Sequence, residues 1–171
     1  MVGWPRFGQV FVAVLAAGVL GSGVAGAANP SAKSEVENLP ERAEWFMDLG
    51  LGLFVHWGVD SQLGSVISHS LVGASEGYAE RFFNELPKTF RPTDFEPASW
   101  ARLARVAGIK YLMFGAKHHS GFCMFDTKTT DFNVTQTPYG KDVTAQVVDA
   151  FREQGLPIGF YFSPEDFWFL H

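Results

Sequence analysis

Three histidines stand where apolar runs give way to polar residues. His56 follows Leu51-Gly52-Leu53-Phe54-Val55, and His118-His119 follow the run over residues 109–116. A neutral imidazole offers one hydrogen-bond donor and one acceptor, and it also ligates metals. Three readings are therefore open: a zinc site with three His ligands, a hydrogen-bonding pocket for a polyhydroxylated ligand, or histidines satisfied within the structure. Neither an H-x-H nor an H-E-x-x-H spacing is present to favour metal. Glu165 and Asp166 close a third apolar run and are acid/base candidates by position. Cys123, the single cysteine, sits in Gly121-Phe122-Cys123-Met124-Phe125 and reads as a small buried residue rather than a nucleophile.

The elements that must carry these residues alternate. Residues 35–49 read as a helix with Trp45, Phe46 and Leu49 on one face and Gly50 as its stop. Residues 51–57 read as a strand buried on both faces. Residues 58–96 form a long Ser-, Gly- and Pro-rich connection. Residues 97–108 give the clearest helix, with Pro97 in its first turn and Trp100, Leu103, Ala104 and Ala107 inward; Gly108 ends it. A second strand covers 109–116, a second long loop 120–141, a helix 142–154 with Val143, Val147, Ala150 and Phe151 inward, and a third strand 156–163. This βαβαβ order lacks a G-x-G-x-x-G turn after its first strand, which disfavours a dinucleotide-binding sheet. Polar residues gather at strand ends instead, as on the functional face of a (β/α)8 barrel. The expectation is an α/β fold, the amino-terminal portion of such a TIM barrel with about three strands, truncated because a closed barrel takes roughly 250 residues. His118 and His119 can share one pocket only if the strand bends or ends there, and Gly121 eases such a bend.

A net charge of −5 gives no field to attract phosphate backbones, so nucleic acid is excluded as a first partner. Residues 1–27 read as a signal peptide: Arg6, an apolar run over 10–20, then Ala25-Gly26-Ala27 as a cleavage site. Residues 28–50 are leader and first helix, and 51–171 the partial barrel. The expected location is secreted or periplasmic, lysosomal in a eukaryote, with no membrane association after cleavage. Asn133-Val134-Thr135 is a glycosylation sequon, relevant in a eukaryotic source.

The runs Leu51-Gly52-Leu53-Phe54-Val55-His56-Trp57-Gly58 and Lys117-His118-His119-Ser120-Gly121-Phe122-Cys123-Met124-Phe125-Asp126 resemble the first- and second-strand signatures of the α-L-fucosidases of glycoside hydrolase family 29. Thr127 to Asn133, Asp142-Val143 and Gly159-Phe160-Tyr161-Phe162-Ser163 match in order and spacing, so the resemblance covers roughly residues 40–171. It implies exo-hydrolysis of terminal α-L-fucose from a fucosylated oligosaccharide or glycoconjugate, by a retaining double displacement and without a cofactor. His56, His118 and His119 match positions that hydrogen-bond fucose hydroxyls, and Tyr161 matches a tyrosine lining the same pocket. Glu76 falls near a Glu-Trp pair that touches fucose, but here the pair is Glu76-Gly77. Trp57 follows a sugar-binding histidine and serves in the pocket or in packing; Asp126 caps or braces its loop. The family's nucleophile lies on a later strand, which implies no catalytic residue within these residues and demotes Glu165 and Asp166. Two alternatives remain: an inactive truncated product with at most weak sugar binding, and a metal-dependent barrel hydrolase using His56, His118 and His119.

Overall fold

The structure is a computed structural model that describes residues 11–12, 39–65, 67 and 69–171, with backbone only for 11–12. The expected signal peptide and leader lie outside the described residues, apart from the two-residue strand β1 (Phe11–Val12). Strands β2 (Gly52–Val55), β3 (Tyr111–Lys117) and β4 (Ile158–Phe162) follow, and the sheet order is β1-β4-β3-β2, all parallel. Helices α3 (Pro97–Val106) and α4 (Val143–Glu153) connect β2 to β3 and β3 to β4. They pack beside each other, joined also by Arg105 Nη1 donating to Gln154 O at 2.6 Å. From β2 to β4, strands neighbouring in sequence are neighbours in the sheet, while β1 pairs with β4 at the other edge.

Helix α4 forms as its sequence dictates. Asp142 caps it, accepting from Ala145 N at 2.7 Å, and Gly155 ends it at φ 69°, a conformation that favours glycine. Val143, Val147, Ala150 and Phe151 are buried as expected, with Thr144. They meet Leu112, Phe114 and Ile158 on the covered face of the sheet.

Three expectations change, and the long connection proves to carry a helix of its own. The helix α1 (Pro40–Leu49) buries none of its residues; Trp45 and Phe46 are exposed, although Phe46 lies 5.0 Å from the Tyr111 ring. The first strand is only four residues long and is not buried on both faces: Phe54 is 52% exposed, because β2 has a single neighbour and only one of its faces is covered. In α3 the inward stripe is Trp100, Ala101 and Ala104, while Leu103 is exposed, a rotation of one residue from the expected face. The connection over 58–96 contains a helix α2 (Glu76–Asn84), capped by Ser75, which sends Phe82 and Phe83 into the core. Gly77 in its first turn masks that helix in the sequence.

Candidate functional site

Side chains alternate between the two faces of a strand. Leu53, Val55, Leu112, Phe114, Ile158 and Phe160 belong to the helix-covered face, and Gly52, Phe54, Tyr111, Met113, Gly115, Gly159 and Tyr161 to the other. On that second face Tyr111 and Met113 each lie over a glycine. A Cβ on Gly52 would strike the Tyr111 ring, and one on Gly159 would lie 2.8 Å from Met113 Cε. Gly115 pairs in register with Tyr161 and sits one step beyond the Val55–Phe114 pair, level with His56. Its missing side chain leaves the space into which the His56 and Tyr161 rings lean, with centroids 5.3 Å apart and nearly perpendicular. A Cβ on Gly115 would lie 3.1 Å from His56 Nδ1.

His118 reaches the same face through a register shift between Gly115 and Lys117. Gly115 pairs with Tyr161 and Lys117 with Phe162, so Ala116 is an extra residue that reverses the alternation beyond it. Lys117 then joins the covered side, and His118 turns toward Tyr161, stacked on it at 4.9 Å and 29°. The chain turns back at once, Gly121 N donating to His118 O at 2.9 Å. Within this turn His119 stacks on His118 at 4.4 Å. The bend expected near Gly121 is therefore two features: a bulge before the histidines and a turn after them. At φ 88°, Gly121 passes so close to Asp166 and Trp168 that no Cβ fits.

Hydrogen bonds assign the protons. The backbone N–H of His119 donates to His118 Nδ1 at 2.9 Å, so neutral His118 carries its proton on Nε2 and acts as a donor there. His118 stays neutral well into acid: burial, then the positive charges of His119, His56, His69 and Lys117, lower its pKa to about 4. Burial and then His119 lower that of His56 as well, although its side chain remains accessible. His119 Nδ1 contacts Glu165 Oε2, and Nε2 faces the Tyr161 hydroxyl at 3.5 Å. The result is a rim of three imidazoles and a phenol at the carboxyl ends of three adjacent parallel strands, with donors and acceptors but no free charge on His118. That suits a neutral polyol.

The structure brings together His56, His118, His119 and Tyr161. Trp57 faces the other way, packing on Phe90, Phe95 and Trp100 with centroids 4.8–5.7 Å apart. Glu76 is exposed at the first position of α2, where a carboxylate favours the helix dipole, and it shares no contact with the ring cluster. Among the described residues no group of three His, Cys, Asp or Glu side chains is arranged to hold a metal ion. Glu165 and Asp166 are both engaged, by His119 and Lys117. Asp126 braces its loop: its N–H donates to Asp142 Oδ2 at 2.9 Å, and Thr135 Oγ1 donates to its carboxylate at 3.4 Å. Cys123 is buried, its thiol pushed up to about 11, chiefly by burial. Asn133 of the sequon is 1% exposed, with Nδ2 donating to Thr130 O and Oδ1 accepting from Thr135. A cleft of about 610 Å³ lies on the Phe162 side, bordered by Lys117, Phe125, Thr129 and Trp168, and shares no residue with the ring cluster.

Four contributors escape the sequence reading. Lys117 is 6% exposed and clamps the segment after β4, donating to Ser163 O at 3.1 Å and Glu165 O at 3.2 Å while pairing with Asp166 at 2.9 Å. Its place beside His118 was the available signal. Gly115 was visible only as a glycine in a strand. His69 stands near enough to His118 to act on its charge. Asp60 is fully buried, bonded to Ser70 Oγ, with burial raising its pKa against the hydrogen bonds of Ser70, its own backbone and Ser120.

The comparisons agree with one another. A family model for alpha-L-fucosidase matches residues 22–169. Putative alpha-L-fucosidase 1 of Oryza sativa subsp. japonica is 30% identical over 153 residues, covering 84% of this chain and 26% of that protein. Tissue alpha-L-fucosidase of Rattus norvegicus is 29% identical over 133 residues, covering 70% and 29%. Among solved structures, alpha-L-fucosidase isoenzyme 1 from Paenibacillus thiaminolyticus superposes with a TM-score of 0.65 at 39% identity, covering 75% of this chain and 30% of that one. A Bacteroides thetaiotaomicron alpha-L-fucosidase, trapped as a covalent intermediate with 2-fluoro-fucosyl fluoride, gives 0.67 at 30%, covering 78% and 32%. The chain thus spans between a quarter and a third of the length of these relatives.

Proposed function

The chain belongs to the α-L-fucosidase family of glycoside hydrolases, and on that premise we propose that its histidine rim binds terminal α-L-fucose for a retaining exo-α-L-fucosidase. The observation that carries this reading is the convergence of His56, His118, His119 and Tyr161 on one face at the ends of three consecutive parallel strands. In the same reading β2, β3 and β4 are three strands of a (β/α)8 barrel, with their uncovered face as the barrel interior. The sequential order of β2, β3 and β4 and two adjacent crossover helices support this. The substrate is a fucosylated oligosaccharide or glycoconjugate.

Retaining hydrolysis takes two carboxyl groups about 5 Å apart, one attacking the anomeric carbon and one protonating the leaving oxygen, then activating water. The covalent intermediate trapped in the Bacteroides relative supports that route. Here Glu165 and Asp166 are engaged by His119 and Lys117, and in this reading the nucleophilic carboxylate lies on a later barrel strand, outside these 171 residues. The part of these residues is binding: His118 Nε2–H donates to one hydroxyl, while His56 and Tyr161 contact others, and bonds that tighten toward the transition state lower the barrier. Export follows from the layout of residues 1–27; mass spectrometry of the exported protein is expected to show Ala28 first.

Hydrolysis of an aryl α-L-fucoside tests the reading. A polypeptide continuing through the remaining strands is expected to turn it over, and the 171-residue chain to bind L-fucose without turnover. Turnover by the 171 residues alone would sink the assignment of the nucleophile elsewhere. Stoichiometric zinc, with activity lost to chelators, would favour the metal hydrolase instead.

A further inference from the structure

We propose that Glu165 is a positioning residue of the site: its carboxylate accepts the Nδ1 proton of His119 and leaves Nε2 without a hydrogen, an acceptor that the Tyr161 hydroxyl faces at 3.5 Å and that a sugar hydroxyl can take over. The inference rests on the sugar-binding reading of the ring cluster and deepens it. Glu165 Oε2 contacts His119 Nδ1 directly. An ionised carboxylate only accepts, so the proton it faces must sit on Nδ1, and the neutral ring then has no hydrogen on Nε2. A carboxylate behind a histidine fixes tautomer and ring orientation by the same logic in other sites.

The position of Glu165 is itself fixed. Lys117 Nζ holds its backbone oxygen at 3.2 Å and that of Ser163 at 3.1 Å, and pairs with the adjoining Asp166 at 2.9 Å. Phe167 N donates to His119 O at 2.8 Å, and Trp168 N to Ser120 O at 3.3 Å, so the segment carrying Glu165 is tied to the backbone of the very residue it orients. Glu165 side-chain exposure of 64% means that this anchoring, not burial, sets its geometry.

The consequence is a matched pair. His118 presents Nε2–H as a donor, because its Nδ1 is held by a backbone amide; His119, stacked on it, presents Nε2 without a hydrogen, an acceptor shared between the Tyr161 hydroxyl and the sugar. One imidazole gives a hydrogen and the next takes one, a pattern that suits two hydroxyls of one sugar ring. An O-methyl group at the hydroxyl facing His119 removes the hydrogen that Nε2 accepts.

Long-range ¹⁵N–¹H correlation on the histidine-labelled 171-residue chain, at mildly alkaline pH where imidazoles are neutral, reads both tautomers. The expected wild-type pattern is Nδ1–H for His119 and Nε2–H for His118. Glu165→Ala is expected to move His119 toward Nε2–H and to weaken L-fucose binding about tenfold, the size of one hydrogen bond. Glu165→Asp is expected to restore part of the Nδ1–H form. His118 should be unchanged throughout, which reports that the turn is folded. Nε2–H on His119 in the wild type, or an unchanged His119 tautomer in Glu165→Ala with His118 intact, would overturn the inference. A tautomer switch without L-fucose binding to either protein would uphold the role of Glu165 and refute the fucose reading.

Discussion

Helices α4 and α1 both carry large apolar side chains, yet α4 buries five residues and α1 buries none. The difference lies in what each helix has beside it. Helix α4 covers β3 and β4 and packs against α3. Helix α1 precedes the edge strand β2, and Met47, Leu51 and Phe54 around it are 77%, 61% and 52% exposed. Apolar composition makes burial available; a neighbouring strand or helix makes it happen. The α1–β2 side presents the surface that further strands of the proposed barrel would cover, whereas the β3–α4–β4 side is already a core.

The largest expected effect lies in that core. Phe151→Ala should cost about 3–5 kcal/mol, since Phe151 is fully buried, while Phe46→Ala on α1 should cost less than about 0.5 kcal/mol. Urea unfolding of the two variants measures both, and similar losses would erase the contrast. Next comes the clamp after β4. Asp166→Ala strands the buried ammonium of Lys117 and should cost about 3 kcal/mol, whereas replacing the pair together, Lys117→Met with Asp166→Leu, should cost less. Equal losses would mean that Lys117 matters for packing rather than charge.

A smaller effect is expected on the uncovered face. Gly115→Ala puts a Cβ 3.1 Å from His56 Nδ1; stability should change by about 1 kcal/mol, but the His56 ring must shift and L-fucose binding weaken. Unchanged binding would remove His56 from the site. The last effect is on pH dependence. The folded state resists protonating His118 down to about 4, while the unfolded chain takes up that proton near 6.5. This contribution is therefore complete above about 6.5 and lost as pH falls toward about 4. His118→Gln should flatten the stability profile across that window; an unchanged slope would assign it to other groups.

Much of this was legible in the sequence. Asp142, the 143/147/150/151 stripe and Gly155 specify α4 by local rules alone, and the burial found there follows. The positions of His56, His118 and His119 at strand ends could be read from where the apolar runs stop. The rest depends on partners far along the chain. Leu103 and Ala101 differ by half a helical turn, and only the placement of α4 decides which turns inward. The bulge at Ala116 and the room left by Gly115 have no local signature, because both depend on the register with Tyr161. Glu165 looked like a catalytic carboxyl by position; its partner His119 lies 46 residues earlier, and only the fold joins them.

The central claim is that the ring cluster recognises α-L-fucose. Titrating L-fucose into the ¹⁵N-histidine-labelled chain tests it most directly. The account predicts saturable shifts of the His56, His118 and His119 ring nitrogens, with His171 unmoved and the D-enantiomer silent. Ring nitrogens that stay fixed at saturating L-fucose, or respond equally to both enantiomers, would contradict it.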